Sequence, residues 1–363
     1  MRLALLTYST RPRGGVVHTL ALAEALVELG VEVDVWSLAR GGDDGFFRPV
    51  DPRVGLRLVP FPDVPGEGVG PRILRSIDTL RAAFTDDYDV VHAQDCISAN
   101  AVPRCVRTVH HLDTFTTPEL AACHERAIVT PTAHVCVSAA VAGELRAGWG
   151  IDPVVIPNGV DAARFADVPA AAVERVRADL GRYVLAVGGI EPRKGSLALV
   201  EAMARVQAVD PTLRLVVAGG ETLFDYRDHR AAVFARAAEL GVEPVLLGTV
   251  PHDDLPAIVA AASVFAFPST KEGFGLAALE AMAAGVPVVM SDLPVLREVF
   301  AGAAVFADGP GRLATELLAA AAQPDPTRLA AGRALAARHT WAAAAEAHLR
   351  LHAGVAAATA AAG

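Results

Sequence analysis

Lysine is nearly missing from this chain. Of its 32 basic residues, only Lys194 and Lys271 are lysines. Basic charge is short overall: 41 acidic residues leave a net charge of −9. That balance argues against nucleic-acid binding, which needs a broad basic surface, but leaves room for a local basic pocket. Long apolar runs are also missing. None approaches the ~18–20 residues that a membrane span requires. Residues 1–8 hold a short apolar stretch and are followed by Arg11 and Arg13, without a full signal-type apolar region or a small-residue cleavage site. They are read as a first strand, and a cytoplasmic location is expected. Cysteine is sparse: Cys96, Cys105, Cys123 and Cys136 share one stretch with His92, His110, His111, His124 and His134. None of the four forms a Cys-x-x-Cys pair. Buried reduced thiols are therefore expected rather than a metal site.

What remains is a chain rich in buried material, 53% hydrophobic and 20% charged over 363 residues. That length suits two domains better than one. Short apolar runs alternate with helical patterns. Strands are expected over 2–8, 32–37, 90–92, 106–110, 135–138 and 154–157, then over 183–187, 213–218, 244–247, 264–267, 286–290 and 304–306. Several are apolar on both faces, as strands of a helix-covered parallel sheet are. The alternation predicts an α/β protein with two doubly wound, Rossmann-like domains. The Pro157-Asn158-Gly159 turn places the boundary. The expected domains are 1–160 and 161–340, with a helix over 341–363 that packs back on the first. Residues 41–70 read as loop with one or two short strands. Open α/β sheets bind ligands beyond the carboxyl ends of their strands, so two such domains facing each other would enclose a cleft.

Four segments carry candidate chemistry. The first is Val264–Gly285. A buried strand ends at Pro268, and Gly273 and Gly275 allow a tight turn and close ligand approach. A helix opens near Gly275 and ends before Gly285. Its N-terminus offers unpaired N–H groups and a positive dipole end. Glu272 lies in the turn, and Glu280 lies about one and a half turns inside the helix. Two carboxylates so placed can reach one ligand at different points; the plainer reading is a helix cap and a solvated side chain. The second segment, 187–196, also follows a strand and opens a helix. It carries Arg193 and Lys194, a compact cationic pair suited to phosphate, with Ser196 expected as the N-cap. The third is Gly14-Gly15 after the first strand, a phosphate-approach loop without the dinucleotide or P-loop pattern. The fourth is 108–113, which sets His110 at a strand end where it faces ligand in this architecture.

In this order the four segments resemble the retaining glycosyltransferases of the GT-B fold called family 4, glycosyl transferases group 1. The resemblance covers nearly the whole chain. It runs from the glycine pair through Thr-Val-His at 108–110, Val-Ile-Pro-Asn-Gly-Val-Asp at 155–161, Arg-Lys-Gly at 193–195 and Glu-Gly-Phe-Gly…Leu-Glu-Ala-Met at 272–282, and closes with Trp341. The finer pattern, with Glu-Pro-Arg-Lys and a doubled histidine, is similar to a bacterial branch of that family. The resemblance implies transfer of a hexosyl group from a UDP-, GDP- or ADP-sugar to an unknown acceptor. No cofactor and no metal are implied, and membrane contact is implied only if the acceptor is a lipid. Glu280 would hold the ribose hydroxyls. Glu272 would contact the donor sugar, beside backbone N–H groups of Phe274, Gly275 and Leu276. Lys194 would neutralise the diphosphate, His110 would approach the donor sugar, and Gly14-Gly15 would lie near diphosphate and acceptor. Many members carry an arginine where this chain has Gly189; Arg193 is the expected substitute. Rival readings are a sugar-nucleotide epimerase or hydrolase on the same fold, a non-catalytic sugar-nucleotide-binding subunit, and a nicotinamide-dependent dehydrogenase. The missing dinucleotide fingerprint counts against the last.

Overall fold

A computed structural model describes residues 1–113, 115, 118–220 and 226–362. They divide into two compact units: Met1–Gly159 together with the final helix, and Val160–Thr340.

The sheet of the first unit contains β1 (Arg2–Thr7), β2 (Glu32–Arg40), β3 (Gly55–Phe61), β4 (Val90–Ala93), β5 (Val106–Val109), β6 (Ala133–Cys136) and β7 (Val154–Val155). Every pairing is parallel, in the order β3-β2-β1-β4-β5-β6-β7. Leu3, Ala4, Leu5 and Leu6 of the central β1 are fully buried, because helices cover both faces of a parallel sheet. β3 is a short strand within the stretch 41–70, where one or two were expected. It is a seven-residue strand in continuous register with β2, from Asp34↔Gly55 to Arg40↔Phe61. Its half-exposed pattern hides it from an apolar-run search, and Pro60 is tolerated at a sheet edge.

The second unit repeats the design with β8 (Arg182–Val187), β9 (Leu213–Ala218), β10 (Val245–Gly248), β11 (Val264–Phe267), β12 (Val288–Met290) and β13 (Val305–Phe306). The order β10-β9-β8-β11-β12-β13 is again all parallel. In both sheets the strand order reverses beside the first strand, at β1/β4 and β8/β11. Open α/β sheets bind ligands at such switch points.

The last helix, Trp341–Ala362, packs on the helix Gly14–Glu28 within the first unit. Ala344 and Ala345 join the cluster of Leu20, Leu22 and Leu26. Two turns of this helix also bring His348 and His352 into the core, where both are fully buried. They meet His92 of β4 and His18 of the first helix. The His92 Nδ1 and His352 Nε2 atoms are 3.0 Å apart, and the His92 and His348 rings lie 5.6 Å apart. Burial holds these rings neutral: it pushes His18 and His352 down to about 3 and His348 to about 4, each His neighbour adding to the effect where it acts. His92 falls well below the ordinary range for the same reason.

These depressed values set the acid stability of the first unit. An unfolded histidine takes a proton near pH 6.5, while the folded rings do not. The unfolded chain therefore binds more protons below pH 6.5, and stability falls with pH. His18, His348 and His352 each remove about 2 kcal/mol by pH 5 on this linkage. Urea unfolding followed at pH 7.5, 6.0 and 5.0 is expected to show the first unit losing stability steeply below pH 6.5. A flat profile from pH 7 to pH 5 would contradict the neutral burial of these rings.

Candidate functional site

In the second unit, two loops meet at the carboxyl ends of adjacent strands. One follows β8, with Gly188 and Gly189, then a short 3₁₀ turn Pro192–Lys194, then the helix Ser196–Val209. The other follows β11 and runs through Ser269 and Glu272 into the helix Leu276–Ala283. The Thr270 N–H donates to the Arg193 carbonyl at 2.8 Å and ties the loops together. Gly195 makes their closeness possible. Its φ is +66°, and a Cβ there would sit 1.9 Å from the Pro268 carbonyl oxygen. Gly195 also occupies the N-cap position of the helix that follows. The capping role expected of Ser196 is thus corrected: a left-handed turn at Gly195 starts the helix, and Ser196 is its first residue.

Glu272 is the centre of this arrangement. Its side chain is only 10% exposed. Lys194 Nζ donates to its Oε1 at 2.6 Å, Ser269 Oγ at 2.9 Å and Arg193 Nη1 at 3.4 Å. Arg193 Nε lies 2.9 Å from Glu191 Oε2 as well. Burial alone would raise the Glu272 carboxyl. The Lys194 and Arg193 charges, with the Lys194 and Ser269 bonds, hold it below the ordinary carboxylate range. The ammonium of Lys194 also lies 5.1 Å over the Phe267 ring. The structure therefore brings Arg193, Lys194 and Glu272 into one cluster, and Glu272 is not a helix cap. Gly189 lies in the same loop as the cations.

Gly275 opens the following helix with φ +108°, and a Cβ there would come 2.8 Å from the Phe300 ring. Phe274 is buried and packs on His339, and Leu276 is the first helical residue. The first turn leaves N–H groups without intrahelical acceptors. Glu280 sits one and a half turns further on and takes no part in the Glu272 cluster. Among the described residues it has no hydrogen-bond partner or ion pair. Burial pushes it up to about 7, with Asp161 adding to the rise and Arg164 opposing it. Asp161 and Arg164 were not singled out from sequence; their neighbourhood to Glu280 joins positions over a hundred residues apart.

In the first unit, Gly14 and Gly15 open the helix Gly14–Glu28 without a side-chain cap. A Cβ on Gly15 would lie 3.8 Å from His110 Cδ2 and Nε2, so the third and fourth sequence segments meet. Nothing lies within 4 Å of a Cβ on Gly14. The His110 ring packs edge-on against His18 at 4.8 Å. Burial first, then His18, Arg107, His111 and His348, hold His110 well below the ordinary histidine range. Sequence reading missed His18 and Asn158, which are joined by a 2.9 Å bond. The available signal was the helical period, which sets His18 on the buried face four residues after Gly14.

The four cysteines are free thiols. Among the described residues, no three His, Cys, Asp or Glu side chains group as a metal-binding set. An Asp-x-Asp spacing does occur at Asp87–Asp89, but Arg2 occupies it. Asp87 pairs with the Arg2 guanidinium, and Asp89 Oδ2 accepts the Arg2 backbone N–H at 2.7 Å. No helix among the described residues is long and apolar enough to cross a membrane.

Comparison with known proteins agrees with this geometry. The pattern of glycosyl transferases group 1 matches residues 173–321, and that of glycosyltransferase family 4 matches residues 12–164. A D-inositol 3-phosphate glycosyltransferase of Corynebacterium aurimucosum is 31% identical, covering 80% of this chain and 79% of the relative. A phosphatidyl-myo-inositol mannosyltransferase of Mycobacterium tuberculosis is 30% identical, covering 97% of this chain and 96% of the relative. Among solved structures, Anabaena HepE in complex with UDP and glucose aligns with a TM-score of 0.78 at 19% identity, covering 98% of this chain and 100% of that one. Sucrose-phosphate synthase of Thermosynechococcus elongatus aligns with a TM-score of 0.79 at 22% identity, covering 98% and 99%. Fold and relatives together define a glycosyltransferase built on two Rossmann-like domains, the GT-B class. The chain belongs to glycosyltransferase family 4, the glycosyl transferases group 1.

The closeness of the two loops in the second unit rests on Gly195. Gly195→Ala is expected to cost about 1–3 kcal/mol through the left-handed strain alone, plus the displacement of the Pro268 carbonyl. Urea denaturation checks this; an unchanged midpoint would show that the loops separate freely.

Proposed function

We propose that this glycosyltransferase moves a hexosyl group from a nucleotide-diphosphate sugar to its acceptor, with retention of configuration and without a metal. The observation that carries this reading is the Arg193–Lys194–Glu272 cluster at the carboxyl ends of β8 and β11, beside the N-terminus of the helix Leu276–Ala283. Breaking the anomeric C–O bond puts negative charge on the diphosphate and positive charge on the sugar ring. Lys194 and Arg193 stabilise the first as preorganised cations. Arg193 stands in for a side chain that Gly189 lacks. N–H groups of Phe274, Gly275 and Leu276 add the helix end. Glu272 contacts the donor sugar, and Glu280, with no protein partner, accepts from the ribose hydroxyls. His110, next to the Gly14-Gly15 turn, is read as a contact of the donor sugar. In this scheme the acceptor attacks from the face that the diphosphate leaves, and a phosphate oxygen takes its proton.

The UDP and glucose bound by Anabaena HepE support a UDP-sugar as the first donor to try, and GDP- and ADP-sugars follow. The relatives named for D-inositol 3-phosphate and phosphatidyl-myo-inositol make a phosphoinositol group the first acceptor to try.

A thermal-shift and calorimetric screen of UDP-glucose, UDP-N-acetylglucosamine, GDP-mannose and ADP-glucose tests the donor. One of them is expected to raise Tm, and Glu280→Ala and Lys194→Ala each to weaken its binding about tenfold or more, as loss of a charge-assisted contact does. Absence of binding at millimolar concentration would refute the reading.

The titration of Glu280 gives a second check. The ribose hydroxyls need an ionised acceptor, and Glu280 without donor titrates at about 7. Binding is expected to tighten as pH rises from 6 to 8, and to lose up to about tenfold per pH unit below 7. Glu280→Gln should bind weakly with no such slope. An identical slope in the variant would assign the pH dependence to another group.

A further inference from the structure

The ring that faces the Gly14-Gly15 turn has an unusual support. His110 Nε2 is buried without a hydrogen-bond partner among the described residues, and so is His18 Nε2. The two rings cross edge-on, 79° apart in plane at 4.8 Å. His18 is itself enclosed. Trp341 lies 5.4 Å from it and His348 6.0 Å, both on the last helix. Its Nδ1 lies 2.9 Å from Asn158 Oδ1. An amide oxygen only accepts, so Nδ1 carries the proton, and the neutral ring keeps its lone pair on Nε2. Both His18 and Asn158 are buried, with His18 at 0% exposure.

The charges around this pair are one-sided. The groups acting on His18 and His110 are His348 from the last helix, Arg107 from β5, and His111 beside His110. His92 of β4 feels His18 in turn. None of these named groups is a carboxylate, and Asp113 lies 3.3 Å from His111. A proton on His18 would meet like charge, not opposite charge, from these groups. The choice of amide over acid at position 158 matters for this reason: a carboxylate there would draw a proton onto His18 and place a cation against His110. A cation at that point opposes the positive charge that the sugar ring gains as its bond to the diphosphate breaks.

We propose that His18 and Asn158 are positioning residues for His110. Asn158 fixes the orientation of the His18 ring and the position of its proton on Nδ1, and the His18 edge holds the His110 ring beside the Gly14-Gly15 turn. This rests on the reading of His110 as the group that approaches the donor sugar. Burial pushes His18 down to about 3 and outweighs the opposing pull of the neutral Asn158 amide, which a carboxylate there would strengthen.

The test uses the full chain and whichever of UDP-glucose, UDP-N-acetylglucosamine, GDP-mannose or ADP-glucose stabilises it most. Release of nucleoside diphosphate by slow hydrolysis of that donor is followed from pH 5.5 to 9, with kcat and KM separated. Asn158→Asp is expected to lower kcat about tenfold or more at pH 6 and to recover at high pH, as His18 loses its acquired proton. Its acid limb should lie at least about one pH unit above that of the unaltered chain, with KM within about twofold. His18→Ala is expected to lower kcat by up to about 100-fold through misplacement of His110. His18→Phe keeps a ring against His110 and should stay within about fivefold. An Asn158→Asp profile that overlays the unaltered one, or a His18→Ala kcat that does not fall, would overturn the inference. His110→Ala serves as the reference. Full activity there defeats the reading of His110 itself, whereas an inactive His110→Ala beside an unperturbed Asn158→Asp defeats the positioning role alone.

Discussion

A buried carboxylate must be compensated, and Glu272 is compensated entirely by what surrounds it. Its strongest partner, Lys194, comes from the loop after a different strand, 78 residues earlier in the chain. Removing either partner would strand the other in a poorly solvated place. This pair therefore makes the loops after β8 and β11 fold as one object. The Thr270–Arg193 backbone bond and the contact of Gly195 with the Pro268 carbonyl follow from that closeness. The helix Leu276–Ala283 is then aimed by a turn that no other residue than glycine enters without meeting Phe300.

The two units share a strand order but use charge in opposite ways. The second concentrates ionised groups at the carboxyl ends of its central strands, with Arg193 and Lys194 against Glu272. The first keeps its interior titratable groups neutral. Its histidines are packed among one another and a buried arginine, with desolvation dominating each of them. Glu280 stands between these cases. It is desolvated like the histidines, yet it belongs to the charged unit and its carboxylate has no hydrogen-bond partner among the described residues.

Much of this was legible in the amino-acid order. Runs such as Leu-Val-Val-Ala and Val-Phe-Ala-Phe mark buried parallel strands because such strands are apolar on both faces. The edge strand β3 was legible only as a short strand somewhere within 41–70, since a half-exposed strand carries no such run to fix its bounds. The Glu272 turn, the Arg193-Lys194 pair, the glycine pair and His110 were each found as a local pattern of strand, glycine and helix. Ser196 was misread for a local reason as well: a serine at a helix start looks like a cap unless the left-handed turn before it is known.

The sequence by itself determined the class of fold and the short candidate segments, because these depend on periodicity and on spacing within some twenty residues; the family entered through the resemblance those segments carry together. Only the tertiary structure decided what each segment works with. The pairing of Glu272 with Lys194 spans 78 residues, that of His18 with Asn158 spans 140, and that of His92 with His352 spans 260. Contacts of that reach are set by how the strands and helices pack. No local pattern encodes which buried charge is paired, which ring is held neutral, or which carboxylate is left for a ligand.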